Sequence, residues 1–163
     1  MPGRELTLLT GEVDSGKTTW CASFSQANPG CDGILLRKIY QAGRRIGYDA
    51  VRVATGKTLP FSRLKGAEPP NWHPAECVGS FSVSAEGKQA ANRWLLEALG
   101  SLARGLIVDE IGPLELEGGG LAEAVQAVLQ DDASCNLILV VRRSCLEQLI
   151  RQYQLAEYRL VEL

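Results

Sequence analysis

The sequence predicts an α/β fold, in which a mostly parallel sheet carries helices on both faces and includes one antiparallel hairpin. Largely apolar runs at residues 6–10 and 137–141 are typical of strands that are buried on both faces. Apolar residues at helical spacing lie between such runs, as at Ala91, Leu95 and Ala98. Strands that are joined by helices favour parallel pairing, because a parallel connection needs a long crossover.

Each element follows from local patterns along the chain. The predicted strands cover residues 5–10, 33–40, 45–53, 77–83, 106–108, 137–141 and 157–162. The predicted helices cover residues 16–27, 86–103, about 121–129 and a segment after residue 144. The turn cluster Asn28-Pro29-Gly30 ends the first helix. Ser144 and Glu147 have the spacing of a capping box in front of the last helix.

The chain length of 163 residues fits one domain spanning residues 1–163. Within it, residues about 33–54 read as two strands around a turn, so we predict a hairpin insertion there. Residues about 56–76 are rich in Gly and Pro and lack periodicity. This stretch therefore predicts a long loop within the domain.

The composition excludes several classes of protein. Seventeen basic and nineteen acidic residues leave a net charge of −2 without a long basic run, so nucleic-acid binding is not indicated. The longest apolar run, residues 137–141, is far below the roughly 20 residues of a membrane span. Five cysteines without C-x-x-C spacing argue against a disulfide framework and a structural zinc site. We therefore expect a soluble, cytoplasmic protein without a membrane partner.

A complete G-x-x-x-x-G-K-[ST] phosphate loop stands between the first predicted strand and the first predicted helix. Glycines let the backbone N–H groups of such a loop turn toward a polyphosphate, and the helix N-terminus adds positive partial charge. We expect Lys17 to reach the β- and γ-phosphates and the hydroxyl of Thr18 to bind Mg²⁺. The predicted nucleotide-binding residues are Gly11, Glu12, Val13, Asp14, Ser15, Gly16, Lys17 and Thr18.

Two adjacent acids, Asp109 and Glu110, end the apolar run at residues 106–108. Ligands of open α/β sheets bind at the carboxyl ends of the strands, so both acids are expected beside the phosphate loop. Asp109 is then a second magnesium-binding residue, acting directly or through a water. Glu110 can orient a water molecule that attacks the γ-phosphorus and accept its proton. The pair therefore favours hydrolysis.

Phosphate-loop hydrolases often use an arginine to neutralise the charge that develops on the γ-phosphate. The sequence offers candidates in two places, the hairpin turn and the end of the strand at residues 137–141. They are Arg44, Arg45, Arg142 and Arg143. Arg142 follows a predicted buried strand and can reach the same crevice as Asp109 and Glu110, whereas the hairpin arginines lie near a turn.

The phosphate loop, the segment GRRIGYD at residues 43–49 and the segment VDEIGPLEL at residues 108–116 together carry a family resemblance. The chain resembles, nearly end to end, the small phosphate-loop nucleoside-triphosphatases that are grouped around thermophile enzymes and the human cancer-related nucleoside-triphosphatase. The resemblance implies a RecA-like core and slow, Mg²⁺-dependent hydrolysis of several nucleoside triphosphates. By position it implies that Lys17 and Thr18 bind phosphate and magnesium, Asp109 handles magnesium and Glu110 activates water.

The predicted function is hydrolysis of nucleoside triphosphates, ATP and GTP among them, to a nucleoside diphosphate and phosphate with Mg²⁺. Lys17 and Glu110 are the predicted catalytic residues. Two alternatives share all of the phosphate contacts. One is a kinase that passes the γ-phosphate to a nucleotide or small molecule, and the other is a regulatory switch controlled by nucleotide occupancy.

Overall fold

The computed structural model describes residues 4–101, 103–131 and 135–163. The strands are β1 (Leu6–Gly11), β2 (Cys31–Gln41), β3 (Arg44–Arg52), β4 (Thr58–Leu64), β5 (Pro74–Val78), β6 (Phe81–Ser84), β7 (Gly105–Ile111), β8 (Asn136–Arg142) and β9 (Arg159–Glu162). The helices are α1 (Lys17–Ala27), α2 (Ala85–Leu99), α3 (Pro113–Leu116), α4 (Ala122–Gln130) and α5 (Leu146–Gln152). Within the described residues, no helix is both long and apolar enough to cross a membrane.

All of these strands join one sheet in the order β5-β6-β4-β3-β2-β7-β8-β1-β9. The strands β2, β7, β8, β1 and β9 pair in parallel. The strands β3, β4, β6 and β5 continue the sheet beyond β2 by antiparallel pairing. The α/β fold with an antiparallel hairpin is confirmed, and the antiparallel part is larger than the one predicted hairpin.

Helices cover both faces of the parallel half because its strands are apolar on both faces. On β1, Leu8 packs on the face that α2, α4 and α5 cover, and helix residues such as Leu95 and Val125 belong to the same cluster. The next residue, Leu9, points to the opposite face and packs with Cys21 of α1. Each such fully buried aliphatic side chain stabilises the fold by about 1.5–3 kcal/mol.

The long loop predicted for residues 56–76 is corrected by the structure, which has β4 within this stretch and the start of β5 at its end. The local composition favoured a loop, but the hydrogen bonds of β4 come from β3 and β6, which are distant in the sequence. A register shift between Tyr48 and Asp49 brings Asp49 opposite Pro60. Such an irregularity accommodates a proline, which has no N–H to donate.

Two further boundaries differ from the prediction. The single strand predicted at residues 77–83 is two antiparallel strands, since Gly79 takes a φ of +58° and reverses the chain between β5 and β6. The capping box predicted at Ser144 and Glu147 is absent from the N-terminus of α5, where residues Arg143–Cys145 form a 3₁₀ turn instead. The helix predicted at residues 86–103 ends at Leu99, and residue 102 lies outside the described residues.

Gly33 is required where β2 pairs with β7. Its φ is +132°, and a Cβ there would lie 2.0 Å from the carbonyl oxygen of Ile107. We expect Gly33→Ala to lower the free energy of unfolding by about 3 kcal/mol through strain and overlap. The matched control is Gly56→Ala, whose φ is +74° with nothing within 4 Å of the added Cβ, at a cost of about 1 kcal/mol. If urea unfolding showed the same loss of unfolding free energy in Gly33→Ala and Gly56→Ala, the overlap at Gly33 would be contradicted.

Candidate active site

The phosphate loop connects β1 to α1 and is shaped by the backbone of its second glycine. Gly16 takes the left-handed conformation with a φ of 93° and forms the N-cap of α1. The N–H of Trp20 donates to the carbonyl oxygen of Gly16 at 2.8 Å, which closes the first turn of the helix. The free N–H groups at this helix N-terminus are therefore available to an anion that binds in the loop.

Lys17 holds the loop in its curved form. Its side chain is buried, and its Nζ donates to the carbonyl oxygens of Gly11 at 3.1 Å and Glu12 at 2.8 Å. A lysine ammonium has three donors, so these two bonds leave one N–H for a further acceptor. The ammonium is thus fixed inside the loop and can act on phosphate oxygens that lie there.

Asp109 and Thr18 are in direct contact, although 90 residues separate them in the sequence. The Thr18 hydroxyl donates to Asp109 Oδ2 at 2.9 Å, and the N–H of Leu36 donates to the same oxygen at 3.1 Å. Asp109 is only 1% exposed. The contact exists because β8 alone separates β7 from β1 in the sheet, so the end of β7 lies near the start of α1. The structure therefore brings the two predicted magnesium ligands together.

These two side chains fit a magnesium ion. A hydroxyl and a carboxylate are oxygen ligands of the kind that Mg²⁺ prefers. Among residues 4–101, 103–131 and 135–163, no group of three or more His, Cys, Asp or Glu side chains could hold a metal ion. Mg²⁺ usually takes several of its remaining ligands from phosphates and water.

The pKa of Asp109 is raised to about 7, first by burial and then by the charge of Glu110. In the unfolded chain this pKa is close to the usual value of about 4. Between about pH 4 and pH 7 the folded protein thus holds a proton that the unfolded chain has released. We expect the free energy of unfolding of the metal-free protein to fall as the pH rises through this range. Urea unfolding in EDTA at pH 5 and pH 8 measures this slope.

The control for this pH dependence is Asp109→Asn, which has the same shape and cannot titrate. We expect this variant to lose the part of the slope that comes from Asp109. A slope that is unchanged in Asp109→Asn would assign the pH dependence to another group.

Glu110 faces the cleft beside the phosphate loop, with 17% of its side chain exposed. Arg142, the last residue of β8, donates from its Nε to Glu110 Oε1 at 3.1 Å. Arg142 also lies beside Gly11 in the pairing of β1 with β8, so it stands at the point where the phosphate loop begins. The ion pair orients the carboxylate and leaves Oε2 of Glu110 without a bond to Arg142.

The other candidate arginines occupy three different environments. Arg45 lies over the ring of Tyr48, with its Cζ 5.3 Å from the ring centroid, and both residues line the cleft. Arg44 is exposed and does not line the cleft, because successive residues of a strand point to opposite faces. Arg143 pairs with Glu12 at 3.0 Å, and both side chains are exposed. Of the four candidate arginines, Arg45 and Arg142 therefore line the cleft.

The cleft contains residues that the sequence reasoning did not identify. Lys38 and Tyr48 line it from the hairpin strands β2 and β3. A usable signal was present: β2 pairs in parallel with β7, and Ile34 lies opposite Val108. Residues shortly after Ile34 must then reach the level of Asp109, at the same edge of the sheet. The further lining residues are Val13, Asp14, Ser15, Gly16, Lys17, Thr18, Thr19, Arg37, Arg45, Glu110 and Arg142.

Comparisons with known proteins show which family and fold the chain resembles. The family model described as NTPase matches residues 7–163. The chain is 30% identical to nucleoside-triphosphatase THEP1 of Methanopyrus kandleri, over 82% of this chain and 71% of that protein. It is 34% identical to the cancer-related nucleoside-triphosphatase of Homo sapiens, over 74% of this chain and 67% of that protein. The fold is similar to the crystal structure of THEP1 from the hyperthermophile Aquifex aeolicus, with a TM-score of 0.74 at 22% identity, over 97% of this chain and 89% of that chain.

Proposed function

The chain belongs to the NTPase family, as its motifs predicted, and we propose that it hydrolyses ATP, GTP and further nucleoside triphosphates to diphosphate and phosphate with Mg²⁺. The observation that carries this proposal is the hydrogen bond between Thr18 and Asp109, with Glu110 in the same cleft. This hydrogen bond links the phosphate loop to Asp109, and Glu110 follows Asp109 in β7. Both acids have a role in the proposed hydrolysis.

In this proposal the loop amides and Lys17 bind the β- and γ-phosphates. Thr18 and Asp109 would hold the magnesium ion, which would neutralise phosphate charge when bound. Glu110 orients a water molecule in line with the γ-phosphorus and accepts its proton as the oxygen attacks. The bond between the γ-phosphorus and the bridging oxygen breaks, and the bridging oxygen leaves with the diphosphate.

We assign different roles to Arg142 and Arg45, the two candidate arginines that line the cleft. Arg142 already donates to Glu110, so it positions the carboxylate. Arg45 stacks on Tyr48 and has no carboxylate partner among the described residues, so its guanidinium is available to charge that develops on the γ-phosphate. The residues of the loop itself select no base, and we therefore propose a broad tolerance for the nucleobase.

The experiment is phosphate release from ATP, GTP, CTP and UTP in the absence of any acceptor. We expect release from all four with Mg²⁺ and its loss in EDTA. Unchanged phosphate release in EDTA would contradict the proposed dependence on Mg²⁺. Nucleotide binding without any release would contradict hydrolysis as the function.

A second candidate is transfer of the γ-phosphate to a small hydroxyl compound. It is favoured by a largely apolar cavity that adjoins the cleft and shares Arg45, Tyr48, Glu110 and Arg142 with it. Aromatic and aliphatic side chains from the antiparallel half of the sheet, including Phe61, continue this cavity. In transfer, Glu110 would accept the proton of an acceptor hydroxyl in place of water. Diphosphate formation that requires an added nucleoside or alcohol would favour this candidate over hydrolysis.

We also propose a cytoplasmic location and function without nucleic acid. The five cysteines, two of them buried, are all free thiols, which suits a reducing compartment. The net charge of −2 gives no broad basic surface for a nucleic-acid backbone.

A further inference from the structure

The phosphate loop carries a carboxylate that faces the nucleotide cleft. Asp14 lies in the middle of the loop with a φ of 62°, and its side chain is 64% exposed on the cleft wall. A bound triphosphate brings several negative charges to the same loop. Like charges that are brought together without compensation oppose binding. The charge of Asp14 therefore needs a partner for the loop to bind phosphate well.

Lys38 of β2 is that partner. Its ammonium forms an ion pair with Asp14 Oδ1, and its side chain lines the same cleft with 28% exposed. The backbone of Lys38 pairs with Tyr48 in the ladder between β2 and β3, so the strand holds the lysine at a fixed distance from the loop. The ion pair thus links the antiparallel hairpin to the phosphate loop.

Both groups of this pair are ionised near neutral pH. The hydrogen bond from Lys38 and its charge lower the pKa of Asp14, and more distant Arg45 and Lys17 lower it further. Burial lowers the pKa of Lys38, but the hydrogen bond and charge of Asp14 outweigh burial, and this pKa is raised on balance. The carboxylate of Asp14 therefore retains a full charge that only a neighbouring cation offsets.

The other cations of the cleft make other contacts, and Arg45 lies over the ring of Tyr48. Lys17 donates to the carbonyl oxygens of the loop, and Arg142 donates to Glu110. Arg37, which precedes Lys38 on β2, pairs with Asp49 at 3.4 Å. Among the ion pairs of the described residues, Lys38 supplies the direct contact to Asp14.

We propose that Lys38 is a positioning residue that neutralises Asp14 and thereby enables the phosphate loop to bind a nucleoside triphosphate. This inference rests on the proposed function, because it concerns the binding step of that reaction. Lys38 acts through Asp14 and not on the reacting atoms. Its loss therefore weakens binding of the triphosphate and leaves the chemical step nearly unchanged.

The test is a double-mutant cycle with Lys38→Met and Asp14→Asn. Methionine keeps a long apolar stem in place of the lysine stem and removes the charge. The measurements are the Kd of the Mg²⁺ complex of β,γ-imido-ATP and the KM and kcat for phosphate release. We expect Lys38→Met to weaken binding at least about tenfold, with a matching rise in KM and kcat within about threefold. We expect Lys38→Arg to bind as the wild type does.

The double variant tests whether Lys38 acts by neutralising Asp14. With Asp14 neutral there is no charge left to offset, so Lys38→Met combined with Asp14→Asn is expected to bind within about threefold of the wild type. Asp14→Asn alone is expected to bind as tightly as the wild type or more tightly. The matched control is Lys57→Met, which removes one positive charge from an exposed residue just before β4, outside the cleft, and leaves binding unchanged.

Three results would overturn the inference while leaving the proposed function intact. The first is wild-type binding by Lys38→Met, and the second is a double variant that binds as weakly as Lys38→Met. The third is weaker binding by Asp14→Asn alone, and that variant remains informative if Lys38→Met does not fold. Failure of the proposed function is a different observation, namely a wild-type protein that neither binds nor hydrolyses the triphosphate.

Discussion

Replacing Lys17 with alanine is expected to abolish nucleotide binding and to lower kcat/KM for phosphate release by about 10³-fold. Two physical effects combine in this loss. The ammonium would no longer meet the phosphates, and its hydrogen bonds to the carbonyl oxygens of Gly11 and Glu12 would disappear. Because these bonds maintain the curve of the loop, the loop amides would also lose their alignment toward the phosphates.

Equilibrium binding of a fluorescent triphosphate and steady-state phosphate release measure the Lys17 effect separately. The control variant is Lys57→Ala, since Lys57 is exposed and outside the cleft. Urea unfolding shows whether Lys17→Ala remains folded. A Kd within about threefold of the wild type in a folded Lys17→Ala protein would show that Lys17 does not contribute to phosphate binding.

Replacing Glu110 with glutamine is expected to preserve binding of the Mg²⁺–nucleotide complex and to lower kcat for hydrolysis at least about 10²-fold. Glutamine has nearly the shape of glutamate and keeps an oxygen that can accept the hydrogen bond from Arg142. It cannot accept a proton from water as a carboxylate can. The variant therefore separates proton acceptance from the structure of the site.

Binding and single-turnover measurements on Glu110→Gln distinguish the chemical step from product release. Glu123→Gln, on the exposed side of α4, is the matched control. Glu110→Asp tests position, because its shorter side chain keeps the charge and withdraws it from the cleft. Wild-type turnover by Glu110→Gln would contradict its role as the proton acceptor, and loss of binding would give it a structural role instead.

Several features of the fold could be predicted because they depend on neighbouring residues. The apolar runs of β1 and β8 identified strands that are buried on both faces, and the structure confirms helices on both sides of them. The antiparallel pair of β2 and β3 was visible from its turn and from alternation in the second strand. The turn at Gly79 and the strand β4 were missed, since a short strand with Pro60 in it becomes a strand only when β3 and β6 pair with it.

The candidate site also has parts that could be predicted from the sequence and parts that could not. A phosphate loop is one contiguous segment whose chemistry lies in its own backbone, so residues 11–18 could be predicted as a phosphate loop without the fold. Asp109 and Glu110 were predicted as site residues because they follow an apolar run typical of a strand, and ligands of open α/β sheets bind at strand ends. The choice among arginines required the tertiary structure, since only the facing direction of each strand residue separates Arg45 from Arg44.

The sequence by itself was enough to predict a phosphate-binding segment and the acids that accompany it, because those predictions depend on short stretches of backbone and side chain. Only the tertiary structure decided which distant groups meet. The order of β7, β8 and β1 brings Asp109 to Thr18, and the hairpin brings Lys38 to Asp14 in the loop. These contacts depend on strand order and pairing register, which are set by packing across the whole sheet and not by any local pattern.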